Sequence, residues 1–219
     1  MKKTTIIGGA LALVGFLTGT LHAQIYVGND GNFTIGEYGL DGSTVNASLI
    51  SYGGTVPFGL VISGGDLLVA VGHTIGEYGL DGSTINASLI SSMAGTPFGL
   101  AISGGDIFAT TISGKKSGIS PIGEYGLDGS TVNATLISGL TGPTAGPTGL
   151  AISGGHIFVA TTGNNTIGEY GLDGSTVNAS LISGLNGPVG IAVEPVPEPS
   201  TLALMGLGLT GLLAVRRRK

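Results

Sequence analysis

One sixteen-residue unit, Ile75-Gly76-Glu77-Tyr78-Gly79-Leu80-Asp81-Gly82-Ser83-Thr84-Ile85-Asn86-Ala87-Ser88-Leu89-Ile90, recurs four times along the chain. Its copies begin at Ile35, Ile75, Ile122 and Ile167, which are 40, 47 and 45 residues apart. A unit this short can bury an apolar face only against its own copies, so the repeat constrains the fold more than any single motif does. Between copies runs a second shared stretch, Pro97-Phe98-Gly99-Leu100-Ala101-Ile102-Ser103-Gly104-Gly105-Asp106-Ile107-Phe108-Ala109-Thr110. It returns from Pro57 and, with Thr148 in place of the Phe, from Pro147. A shortened form, Pro188-Val189-Gly190-Ile191-Ala192-Val193, ends the array.

Each period divides into four apolar segments separated by glycine turns; in the second full repeat they cover 99–103, 107–111, 122–127 and 131–138. The 43 glycines and the abundance of Thr, Ser, Val and Ile favour short strands over helices, so the body reads as all-β. Four short strands in 40 to 47 residues is the period of a β-propeller blade. A β-solenoid is the alternative, but its coils are shorter. In the third segment Ile75, Glu77 and Gly79 point one way and Gly76, Tyr78 and Leu80 the other. Neither face is purely polar, as expected of a sheet held between two neighbours. The fourth segment alternates Ile85, Ala87 and Leu89 with Thr84, Asn86 and Ser88, a half-wet pattern that suits the outermost strand.

The phase of the array predicts how it closes. Gln24-Ile25-Tyr26-Val27 aligns with His156-Ile157-Phe158-Val159, a second strand lacking its first, and 190–193 is a first strand lacking its second. Joined, they make one complete blade. The expected fold is therefore a small β-propeller of four blades of four strands, closed by pairing of the N- and C-terminal strands.

The Pro-x-Gly-Leu-Ala-Ile-Ser strand, the Gly-Gly turn, the Ile-Phe-Val-Ala strand and the Gly163-Asn164-Asn165-Thr166-Ile167 connection together resemble the NHL-type propeller repeat over 24–193. The chain departs from that pattern at Gly171-Leu172-Asp173-Gly174, which is richer in glycine, and in having only four repeats. Some NHL-like propellers are metal-dependent lactonases and lyases, so the resemblance implies a lactonase-like hydrolase or lyase as the alternative function. The first strands that would line a central channel, 59–62, 99–102 and 149–152, are apolar and bring no ligand set, and a non-enzymatic module without a cofactor is expected.

The two tails carry the information on location. Residues 1–23 combine Lys2-Lys3, an apolar run from about 6 to 17 and a small residue at Ala23, which reads as a secretory signal helix. Residues 194–219 hold Pro197-Glu198-Pro199, an apolar run over 201–215 and the basic cluster Arg216, Arg217, Arg218 and Lys219. The prolines keep the chain extended and accessible. The apolar run would span the membrane as a helix by borrowing flanking residues, and the basic cluster stays on the cytoplasmic side as a stop. These three parts resemble the PEP-CTERM sorting signal of exported proteins in Gram-negative bacteria. That resemblance implies recognition of Pro197, Glu198 and Pro199 by an exosortase, transient anchoring in the inner membrane, and delivery to the cell surface or an extracellular polysaccharide matrix.

Charge excludes one class of partner. The formal net charge is −5, and between the tails only Lys115 and Lys116 are basic, short of the clustered Lys/Arg that phosphate binding needs, so no nucleic-acid partner is expected. The recurring polar set is Glu37 with Asp41, Glu77 with Asp81, Glu124 with Asp128 and Glu169 with Asp173. A hard cation such as Ca²⁺ would suit carboxylates arranged around a ring, whereas Asp-Gly-Ser also supplies a turn in every copy; the turn reading is preferred. Catalysis needs residues that break the symmetry, and His73 and His156 occupy non-equivalent positions. The Asn-Ala-Ser/Thr triplets at Asn46, Asn86, Asn133 and Asn178 fit polar residues of an outer strand, and Tyr38, Tyr78, Tyr125 and Tyr170 fit packing between sheets. The function expected is a structural or binding module of the extracellular polysaccharide matrix.

Overall fold

A computed structural model of the chain describes residues 23–91, 93, 95–112, 120–140 and 146–193. The signal segment, Lys115, Lys116 and the whole sorting tail from residue 194, with both of the expected flanking helices, lie outside the described residues.

The described residues form four antiparallel sheets, each a meander in chain order. Sheet I holds β1 (Gln24–Asn29), β2 (Thr34–Gly39) and β3 (Thr44–Ser51). Sheet II holds β4 (Pro57–Ser63), β5 (Asp66–Val71), β6 (Thr74–Gly79) and β7 (Thr84–Ile90). In sheet III these become β8 (Thr96–Ser103), β9 (Asp106–Ile112), β10 (Ile122–Gly126) and β11 (Thr131–Ile137), and in sheet IV β12 (Pro147–Ser153), β13 (His156–Thr161), β14 (Thr166–Gly171) and β15 (Thr176–Ile182). Every strand pair falls within one repeat. A solenoid would instead pair strands of successive coils.

Local chemistry sets this pattern. The first and second strands of sheets II to IV meet through two-residue Gly-Gly turns: Ser63 pairs with Asp66, and Gly64 and Gly65 take φ of 63° and 98°. Two successive positive φ values match the twist of the strands they join, and glycine adopts them without a Cβ clash. The first strands then pack side by side, β4 on β8 and β8 on β12. Glycine at their third position permits the close approach. A methyl built on Gly99 would lie 2.7 Å from the Thr148 carbonyl oxygen, and one on Gly59 or Gly149 would collide with the carbonyl of Phe98 or Val189.

Three apolar clusters fill the three spaces between consecutive sheets. The first joins Ile35 and Ile50 of sheet I to Leu67, Val69 and Tyr78 of sheet II. The second joins Ile75 and Ile90 to Ile107, Ala109 and Tyr125, and the third joins Ile122 and Ile137 to Ile157, Val159 and Tyr170. Tyr78, Tyr125 and Tyr170 therefore pack between sheets, as their position in the third strand predicts, whereas Tyr38 of sheet I is half-buried and joins no cluster. Second strands are the driest: Leu67, Leu68, Val69 and Ala70 are all within 1% of complete burial, consistent with sheets covered on both faces.

Two expectations need correction. The outermost strands are not half-wet by alternation, because β7 is exposed over its first five residues and buried only at its end, with Ile85 53% and Ile90 2% exposed. A register shift at Glu77 and Tyr78, repeated in the other sheets, separates the start of the outer strand from the regular ladder. Nor is the closing pair present among the described residues. β1 pairs with β2 alone, leaving sheet I with three strands, and 190–193 forms no strand. Residues 188 and 189 do reach the place of a next first strand: Thr162 Oγ1 donates to the Pro188 carbonyl at 2.7 Å, and the Val189 carbonyl covers Gly149. Among the described residues nothing pairs with the apolar face at either end, where Ile25 and Ile182 are 42% and 48% exposed.

Candidate functional site

The recurring aspartates sit in the turns between third and fourth strands, and their chemistry there is local. Asp41 Oδ1 accepts hydrogen bonds from the Ser43 amide at 3.0 Å and its hydroxyl at 2.6 Å, and Asp173 does the same with Ser175 at 2.9 and 2.6 Å. Asp81 and Asp128 accept from the amides of Ser83 and Ser130 at 2.9 Å. In all four the serine hydroxyl, then its amide, holds the carboxyl below the usual aspartate range. The glutamates lie on different elements, Glu37 on β2, Glu77 on β6, Glu124 on β10 and Glu169 on β14. Among the described residues no three His, Cys, Asp or Glu side chains converge as a metal site.

Three of the glutamates face a different companion on the preceding strand of their own sheet. Tyr26 Oη lies 3.5 Å from Glu37 Oε1, and burial followed by that carboxylate raises the phenol. Glu124 is pushed upward by burial and then by the charge of Asp106. In sheet IV, His156 takes the aspartate's place and brings Nδ1 to 3.2 Å from Glu169 Oε1, a close contact without the alignment of a hydrogen bond. Sequence reasoning set His156 apart as not equivalent to His73 and missed this partner. The signal was available: His156 and Glu169 occupy the columns of Asp106 and Glu124. His73 lies in the β5–β6 turn and offers its backbone carbonyl to the Met93 amide at 3.3 Å.

The triplet asparagines turn inward on their own backbone. Asn46, Asn86, Asn133 and Asn178 each accept, through Oδ1, the amide two residues on at 3.0 to 3.1 Å, the bond of an Asx-turn. A cleft of about 150 Å³ opens beside β10 and β11, lined by Ser91, Met93, Thr111, Pro121 and Tyr125 among others. It is smaller than the roughly 300 Å³ of an ordinary ligand pocket and no carboxylate, imidazole or amine lines it. At the inner end of the first strands Phe58 and Phe98 stack with centroids 4.1 Å apart.

Comparison with known proteins locates function at the tail and architecture in the body. Residues 195–219 match the PEP-CTERM protein-sorting motif. That motif marks an exported protein sorted at the membrane of Gram-negative bacteria by an exosortase. No curated protein matches the chain by sequence. The body is similar in fold to a nidogen/laminin complex structure (16% identity, TM-score 0.65, 80% of this chain and 65% of that one). It is also similar to virginiamycin B lyase from Staphylococcus aureus (18% identity, TM-score 0.58, 78% and 57%). A third likeness is to the computationally designed Ika8 protein (13% identity, TM-score 0.54, 78% and 50%). These propeller-like neighbours agree with the all-β architecture of four sheets. The chain spans half to 65% of their lengths.

Proposed function

We infer that this exported chain is a non-enzymatic repeat module, sorted by an exosortase to the cell surface and serving there as a structural or binding element of the extracellular polysaccharide matrix. The observation that carries the reading is the sorting motif at 195–219. In this reading the apolar run before Arg216, Arg217, Arg218 and Lys219 holds the chain transiently in the inner membrane, and Pro197, Glu198 and Pro199 present it to the sorting enzyme. The body's chemistry supports a non-catalytic role. Its turn carboxylates already accept bonds from their own serines, so a cation would have to compete for them, and no carboxylate or imidazole lines the described cleft to activate its hydroxyls. The long exposed faces of β3, β7, β11 and β15 suit contact with a polymer.

A metal-dependent lactonase-like hydrolase or lyase is the second reading, favoured by the likeness to a lyase of similar architecture. The two separate experimentally. In an exosortase-bearing Gram-negative host, the full chain is expected to leave the inner-membrane fraction, and Pro197→Ala with Pro199→Ala is expected to retain it there; release of the variant at the wild-type level would sink the sorting role. Metal in stoichiometric amount, together with turnover in a lactone and ester screen, would favour the enzyme instead.

A further inference from the structure

We propose that the open ends of the array form a seam filled by a second copy of this chain: 190–193 of each copy completes sheet I of the other, and two four-sheet arrays close into one eight-sheet ring. The chain itself shows what covers each exposed group, because the same junction is built three times inside it. Between sheets II and III and between sheets III and IV an inner glycine lies under the next first strand, Gly59 under Phe98 and Gly99 under Thr148, and beyond sheet IV Gly149 lies under Val189 in the same way. An outer glycine, Gly82, Gly129 or Gly174, rests on the carbonyl of Leu49, Leu89 or Leu136 in the preceding sheet. Between them the isoleucine closing the earlier sheet and the tyrosine of the later sheet are buried together.

The halves of a fourth junction stand unmatched at the two ends. Gly190 repeats Gly149, Gly42 repeats Gly82, and among the described residues neither has an atom within 4 Å of where its Cβ would be. Leu181 repeats Leu136 and is 42% exposed, and Ile182 is 48% exposed where Ile50, Ile90 and Ile137 are at most 8%. At the other end Ile25 and Val27 stand open, and Tyr38 is only half-buried, unlike Tyr78, Tyr125 and Tyr170. One set of halves belongs to sheet IV and the other to sheet I, so a head-to-tail contact satisfies both. It also caps the free hydrogen-bonding edge of β1.

The geometry favours a second copy over the chain's own far end. Sheets I to IV leave both end faces exposed and superpose on half to 65% of longer propeller-like chains, so they make a sector of a ring. Measured against the Ika8 protein, of which the chain covers 50%, one more copy of the same size supplies the remaining half. The strand that crosses the seam is already aimed, since Thr162 Oγ1 holds the Pro188 carbonyl. Its register follows from the repeat: Leu100 pairs with Ala109, Ala101 with Phe108 and Ile102 with Ile107, which places Ile191 opposite Val27, Ala192 opposite Tyr26 and Val193 opposite Ile25.

The chain contains no cysteine, so an engineered pair reports the seam without competition. Full-length chains carrying Ile25→Cys or Val193→Cys, with different epitope tags, are co-produced and oxidised in the cell envelope. A disulfide joining the two tags is expected, and wild-type full chain in mild detergent should have the mass of a dimer. Gly190→Val is expected to weaken that dimer about tenfold or more through overpacking while leaving the melting of the single copy unchanged. A doubly substituted chain that cross-links only within itself, a monomeric wild type, an open-ended larger assembly, or a Gly190→Val dimer of undiminished affinity would each overturn the proposal.

Discussion

At the scale of the residue, glycine and aspartate set the close approaches and the turns of this molecule. Gly99 permits two first strands to approach until a methyl would sit 2.7 Å from a carbonyl oxygen and 3.3 Å from both the Leu150 amide nitrogen and Thr110 Oγ1. Backbone cannot yield as a side chain can. Gly99→Ala is therefore expected to cost about 1–3 kcal/mol, read as a lower midpoint in urea unfolding, whereas Gly31→Ala, which meets nothing within 4 Å, stays within about 0.5 kcal/mol of wild type. An equal midpoint for the two variants would show that the inner strands are not in contact. The Asp-Gly-Ser turns were legible from sequence because each holds its aspartate by bonds two residues away. The pairing of His156 with Glu169 was not, because it depends on which strands lie side by side and in what register.

At the scale of the element, the four strands of a sheet differ sharply in how much they contribute. β9 lies between β8 and β10, and its sheet between sheets II and IV, so Ile107 is completely buried. β7 lies at an outer edge, and Ile85 is 53% exposed. Ile107→Ala is expected to destabilise by about 2–5 kcal/mol through lost transfer energy and a residual cavity. Ile85→Ala should remain within about 0.5 kcal/mol. Chemical denaturation of the pair checks the ranking, and a larger loss at Ile85 would mean that the outer strands carry a hidden interface. Strand positions were readable because glycine turns punctuate an otherwise apolar pattern, and the segments 107–111, 122–127 and 131–138 fall within about one residue of β9, β10 and β11. The burial of the outer strand was misread. Alternation predicts which way a side chain points, but not whether anything lies there to cover it.

At the scale of the whole molecule, the repeated turn carboxylates give a collective acid response. Serine hydroxyls and amides lower the folded-state pKa of Asp41, Asp81, Asp128 and Asp173. Their contribution is thus present above the ordinary aspartate value, about 3.9, and lost as pH falls through the depressed folded values. The melting temperature should drop on acidification below about pH 4, and the four-site Asp→Ala variant should lose part of that dependence; an unchanged slope would remove these turns from the account. Glu124 has the opposite sign, since burial raises its folded pKa and its charged form opposes folding at neutral pH. The sequence by itself determined the four-fold repeat, the strand order within each blade, the turn chemistry and the sorting motif at the tail, because all of these depend on residues close in the chain. Only the tertiary structure decided whether the ends meet. The angle between packed sheets accumulates around the array, and no local pattern records it: the sequence shows that the ends are complementary, and among the described residues the sheets leave them unpaired.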